Sequence, residues 1–271
     1  MCGIAGIIHR DGPSDMGAEL TKMLQSMKHR GPDSTGYALY GQPDDLVTIR
    51  FMLAEPKEYG GFGVEEKLER SRAEVESRLA KIGADLATIN SDTGYAFRAT
   101  DDRSRFDNLD GIRGTHGIGH VRMATESDVD LASAHPYWAY PFADVAVVHN
   151  GQLTNYHLWR RRLERAGHRF QSECDSEIIA VYLAEKLESG MDLNTAMKYS
   201  LDDFDGVFTY LVATSNELGI AKDEMAAKPL VLFESDDLVA MASEEIAIRA
   251  LVGREVDTRD PFEREVLTWQ V

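Results

Sequence analysis

Cys2 follows the initiator methionine and precedes Gly3 in the opening MCGIAGIIHR. With Met1 removed, as aminopeptidases do when the next residue is small, a thiol and a free α-amine would belong to one residue. An α-amine titrates near about 8 and can take a proton from a thiol of pKa about 8.5. Nucleophile and general base would then be the same residue. The competing reading is a buried, inert cysteine at a strand start, and the tripeptide alone favours it.

Four further stretches carry chemistry-bearing residues. HRGPDSTG (29–36) is a loop with Arg30 and Asp33 exposed to use, but such loops are commonly plain turns. GHVRMAT (119–125) ends a strand in Arg122, then offers Thr125. A guanidinium there could grip a carboxylate through two parallel hydrogen bonds, although a surface ion pair is the commoner use. HNG (149–151) follows an apolar run. The Asn150 amide with the Gly151 N–H could form an oxyanion hole, or the pair could be a turn. CDSE (174–177) opens a helix, where Asp175 could hold an ammonium group or simply cap the helix, as could Ser176. His116 and His120 are four apart, but no further ligands stand at suitable spacing, so no metal site is expected. No phosphate-cradling glycine motif occurs, and no cofactor is expected.

The elements that must position these residues are readable from periodicity. GIAGII (3–8) reads as a buried strand, and a helix starts near Ser14 or Asp15 with Leu20, Met23, Leu24 and Met27 on one face. GYALY (36–40) and LVTIRF (46–51) read as strands. Residues 52–113 form an insertion or lobe, with an exposed amphipathic helix over 64–83 striped by Val64, Leu68, Val75, Leu79 and Ile82. Beyond it, 115–125 and 144–150 are strands. Helices are predicted at 154–166, 175–189 and 192–202, then strands in GVFTYLVAT, LGIAK, LVLFE and LVAMAS, a short helix in EEIAIRAL, and a last strand in EVLTWQ. Strands gather toward both ends with helices between, an α+β pattern.

The 271 residues suffice for one large domain or two small ones. A −17 balance, from 29 basic and 46 acidic side chains, argues against nucleic-acid or anionic-lipid partners. No apolar run approaches the roughly 20 residues of a membrane span. No basic segment followed by a long apolar stretch opens the chain, so no signal peptide is expected. Two cysteines are no disulfide framework and fit a cytoplasmic setting.

Individually the signals are weak; their order is specific. Cys2, HRGPDSTG, GHVRMAT, HNG and DSE in succession resemble the glutaminase domain of class II glutamine amidotransferases, over roughly 1–41 and 114–252. The late stretches GVFTYLVAT, AKPLVLF and MASEEIAIRAL look similar to that domain's closing elements. The resemblance implies a four-layer αββα sandwich of the N-terminal nucleophile hydrolase type, here one domain over 1–271 with a helical insertion at 52–113. It implies that Cys2 attacks the side-chain amide of L-glutamine to form a thioester, with the oxyanion on Asn150 and Gly151. Arg122 would hold the α-carboxylate and Asp175 the α-ammonium. Thr125 and the Met123 backbone would make further substrate contacts, and the Arg30 loop would fold over the substrate. Glu126 departs from the His-Gly of several relatives, and Cys174 reads as a packed thiol. The chain has no room for a synthase domain. It is therefore expected to be a subunit that supplies ammonia or a glutamyl group to a separate, flavin-containing synthase chain, as in split glutamate synthase or N-methylglutamate synthase. The 52–113 lobe would be either a docking surface or a solvent-exposed decoration. A self-sufficient hydrolase of another γ-glutamyl amide and a catalytically silent regulatory subunit stay open.

Overall fold

The computed structural model describes residues 2–41, 70, 77, 94–99, 113–123, 134–139 and 144–271. A continuous apolar run, buried on both faces, makes strand β1 (Gly3–His9), and Asp15 starts α1 (Met16–Ser26) by accepting the Ala18 N–H on its carboxylate at 3.2 Å. A 3₁₀ turn at Lys28–Arg30 leads into β2 (Ser34–Tyr40). β3 (Gly94–Ala99), β4 (His116–Arg122), the two-residue β5 (Tyr137–Trp138) and β6 (Ala146–Leu153) follow. Three helices come next: α2 (Tyr156–Arg165), α3 (Asp175–Glu188) and α4 (Leu193–Asp203). Gly190, at φ +89°, stops α3 where the sequence predicts. The remainder is β7 (Gly206–Ala213), β8 (Glu217–Lys222), β9 (Val231–Glu234), β10 (Leu238–Ala242), α5 (Glu245–Val252) and β11 (Val266–Gln270).

The strands form two antiparallel sheets, in the orders β3-β2-β4-β1-β10-β9 and β11-β8-β7-β6-β5. Ile4, Ile8, Ile118, Val148, Leu211, Ile220 and Met241 meet between them and are fully buried. Burying each such side chain contributes about 1.5–3 kcal/mol. α1 and α5 cover the first sheet through Leu20, Leu24, Ala247 and Ile248; α2, α3 and α4 cover the second through Trp159, Ile178, Ile179, Tyr182 and Met197. The result is the expected α+β sandwich in four layers, αββα. The strand at 46–51 lies outside the described residues. So does most of the 52–113 insertion: of the helix at 64–83 only Arg70 and Ser77 are described, both helical and exposed.

Strand period does the positioning. On β6, Ala146 and Val148 face the inter-sheet core, whereas Val147 and Leu153 face the helices. The same alternation sends Asn150 toward the first sheet and His149 toward α3, as their hydrogen bonds record.

Candidate active site

The first sheet brings the amino-terminal strand beside strands far along the chain. β1 lies between β4 and β10, with Gly3 opposite Val121 and Ala5 opposite Ala242. Cys2 therefore sits beside the last residues of β4. Its half-buried Sγ lies 3.3 Å from the Met123 N–H, which it accepts, and 3.4 Å from the Met123 carbonyl. Arg122, directly before, is buried, and its carbonyl accepts the Asp33 N–H at 3.0 Å.

The Cys2 carbonyl is gripped from two sides. Arg30 Nε donates to it at 2.9 Å and Asn150 Nδ2 at 3.2 Å. Arg30 is buried, and its Nη1 is paired to Glu244 at 2.6 Å; Glu244 also meets the exposed His29 at 3.0 Å. Desolvation opposes ionisation of Glu244, but the hydrogen bonds and charges of Arg30 and His29 outweigh it and hold its carboxyl below the usual range. Arg30 is thus committed to the backbone of Cys2. Its loop is seated by Gly31: a Cβ there would stand 2.4–2.5 Å from backbone atoms of Val121 and Arg122, so only glycine lets the loop touch β4.

Asn150 also donates to Ser243 Oγ at 3.2 Å, and Ser243 Oγ accepts the Ile4 N–H at 3.0 Å. The Asn150-Gly151 pair is no turn. Asn150 is opposite Thr209 and Gly151 opposite Phe208 within the β6–β7 ladder. Gly151 has φ +136°, and a Cβ on it would be 2.1 Å from the Val207 carbonyl oxygen, which excludes a side chain.

Asp175 is the first residue of α3, but it does not cap that helix. Its Oδ2 reaches across to accept the Leu153 N–H on β6 at 2.8 Å, while the side chain stays partly exposed. The loop before it is tied down by Glu177, whose buried carboxylate accepts from Gln171 N, Ser172 N and Ser172 Oγ at 2.6–2.8 Å. Cys174 packs beside Asp175, and burial, with the adjacent carboxylate, pushes its thiol pKa up. That agrees with a packed thiol.

Cys2, Arg30, Asn150 and the end of β4 with Arg122 therefore converge, and Asn150-Gly151 links them along β6 to Asp175. Thr125 and Glu126 lie outside the described residues. Ser243 and Glu244, which sequence reasoning did not single out as site residues, complete the cluster. Their only sequence signal is the SEE preceding a short helix. Among the described residues no group of three or more His, Cys, Asp or Glu could hold a metal ion. His116 and His120 are about 13 Å apart along an extended strand. His116 Nε2 bonds the Thr214 carbonyl at 2.7 Å, and His120 Nε2 the His149 carbonyl at 3.2 Å. Also among the described residues, no helix is long and apolar enough to cross a membrane.

Residues 120–250 match the family model of a glutamine amidotransferase domain. A protein of Methanothermobacter thermautotrophicus, whose name assigns it to the glutamine amidotransferases, is 38% identical over 98% of this chain and 99% of its own. The glutamine amidotransferase-like protein GlxB of Rhizobium meliloti is 37% identical over 93% of this chain and 91% of its own. Among solved structures, the glutamine phosphoribosylpyrophosphate amidotransferase of B. subtilis superposes with a TM-score of 0.67 over 98% of this chain and 47% of that one, at 22% identity, a likeness of fold. Two long sequence matches on this shared sandwich establish that the chain is an enzyme of the class II glutamine amidotransferases.

Proposed function

We propose that the chain hydrolyses the side-chain amide of L-glutamine through a thioester on Cys2 and passes the nitrogen, or the glutamyl group, to a separate synthase subunit. The observation that carries this reading is the double grip on the Cys2 carbonyl by Arg30 and Asn150, which fixes the backbone of a half-buried thiol beside Arg122. With Met1 removed, the Cys2 amine takes the thiol proton and the thiolate attacks the amide carbon. The tetrahedral oxyanion is held by the Asn150 amide and the Gly151 N–H. The protonated amine gives its proton to the leaving ammonia, and water then attacks the thioester to release glutamate. Arg122 binds the α-carboxylate and Asp175 the α-ammonium, selecting a free amino acid over a peptide-bound glutamine. Arg30 acts through Cys2, as a positioning residue. Thr125 adds a substrate contact.

The relatives support the glutamine chemistry. The glutamine–fructose-6-phosphate aminotransferase of Zymomonas mobilis is 30% identical over 94% of this chain, which spans 33% of that protein's length. The test is intact mass, to read loss of Met1, followed by ammonia release from L-glutamine with and without chains encoded by neighbouring genes. Release that rises with one such chain supports the subunit reading. Full activity alone overturns it in favour of an independent hydrolase. Retained Met1 with no release under any condition points to a silent regulatory subunit.

A further inference from the structure

Behind Asp175 lies a buried polar cluster that the reaction above does not use. Ser176 Oγ is 2.8 Å from His149 Nδ1, 2.9 Å from His135 Nε2 and 3.4 Å from Asp175 Oδ1. Ser176 and His149 are each at least 97% buried. His149 Nδ1 is itself 3.8 Å from Asp175 Oδ1. His135 stacks face to face on His120, with ring centroids 3.9 Å apart. The cluster thus joins β4, β6, the segment before β5 and the first turn of α3.

Counting protons leaves few arrangements. A serine hydroxyl has one proton and two lone pairs, and an ionised carboxylate only accepts. Burial pushes the His149 pKa down against the pull of Asp175, so its ring is neutral and holds a single proton. His149 Nε2 is buried and has no partner among the described residues. A proton placed there would be a stranded donor, with the desolvation penalty of a buried unpaired N–H. The His149 proton is therefore on Nδ1 and is donated to Ser176 Oγ. With His135 donating from Nε2, both serine lone pairs are filled, and the hydroxyl proton goes to Asp175 Oδ1, a carboxylate oxygen and a stronger acceptor than the Cys174 sulfur 3.6 Å away. The other carboxylate oxygen is already held by the Leu153 N–H.

We propose that Ser176 and His149 form a positioning pair for Asp175: the Ser176 hydroxyl, held as a double acceptor between the His149 and His135 rings, turns its proton to Oδ1 and fixes the carboxylate for the substrate's α-ammonium. The pair then sets selectivity for amides that carry a free α-amine. This rests on the assignment of Asp175 to that ammonium, and the experiment separates the two ideas.

The measurement is kcat/KM for ammonia release from L-glutamine and from 4-carbamoylbutanoate, which is glutamine without its amino group. Asp175→Asn is the reference and should collapse the preference for L-glutamine. Ser176→Ala should lower that preference by about tenfold, the weight of one hydrogen bond to a charged group, mainly through KM. Ser176→Thr should restore it. His149→Asn, whose amide donates from the place of Nδ1, should keep more of the preference than His149→Phe. In ¹⁵N-labelled protein the His149 ring should appear as the neutral Nδ1–H tautomer. Equal losses on both substrates in Ser176→Ala, with the Asp175→Asn collapse intact, would overturn the positioning role and leave the Asp175 assignment standing. An unchanged preference in Asp175→Asn would overturn the assignment itself.

Discussion

Acidification should destabilise this fold well above the carboxylate range, because His116, His120 and His149 are buried neutral, and the first two give a magnitude. Burial pushes the His116 pKa down from 6.5 to about 4, against the bond to the Thr214 carbonyl, and His120 down to about 3. Both rings are essentially inaccessible. A pKa lowered on folding means that the unfolded chain binds more protons. The stability contribution is therefore complete above about pH 6.5 and is lost as pH falls toward the folded values. At pH 5 an unfolded imidazole is almost wholly protonated and these two almost wholly neutral, so unfolding takes up close to two protons. At about 1.4 kcal/mol per proton per pH unit, the pair costs roughly 3 kcal/mol between pH 6.5 and 5. His9 works the other way, since Glu19 raises its pKa. The total slope is a sum, and a variant isolates one term. His116→Gln keeps a donor for Thr214 but loses the titration. Urea unfolding followed by circular dichroism at half-unit steps from pH 6.5 to 5 should give it a slope shallower by about 1 kcal/mol per pH unit on average. Parallel slopes for the two proteins would refute the reasoning, whatever the loss of absolute stability from the lost stack on Tyr40.

Three further outcomes are expected. Asn150→Ala should retain glutamine binding while turnover falls about 10²–10³-fold; similar turnover in mutant and wild type, by steady-state ammonia release, would remove its oxyanion role. Glu244→Ala strands the buried Arg30 guanidinium, which should cost about 3 kcal/mol of stability and alter the rate of Cys2 alkylation by iodoacetamide; a rate equal to wild type would separate Glu244 from the nucleophile. Gly31→Ala forces a methyl against the β4 backbone and should cost about 2 kcal/mol or more in chemical denaturation, with glutaminase activity falling as the Arg30 loop lifts.

What is legible in the sequence is local. Helices with clear apolar faces and strands with period two lie within three residues of their expected bounds where they are described, and the cysteine, arginine, asparagine and aspartate stretches converge. Misreadings arise where tertiary pairing overrides local chemistry. Asn150-Gly151 carries a turn signature, yet the ladder with β7 keeps it in a strand, because glycine alone fits against Val207. Asp175 has the type and place of a helix cap, but the Leu153 N–H across the sheet takes its carboxylate. β3 escapes a sequence reading because it falls in a polar stretch and is recognised through its pairing with β2. Ser243 and Glu244 follow no local pattern. They reach Cys2 because β10 lies beside β1, a neighbourhood that no window of residues contains.

That neighbourhood also sets an order of events during biosynthesis. The Cys2 carbonyl is held by Arg30, Arg30 is held by Glu244 some 214 positions away, and the Ile4 N–H waits for Ser243 across 239. At ribosomal rates the amino terminus emerges roughly ten to fifty seconds before those partners are made. The Cys2 carbonyl therefore gains its full bracing only when the segment leading into α5 arrives. Chains cut short before that helix carry the same cysteine, but without the Glu244 anchor that braces Arg30 against its backbone.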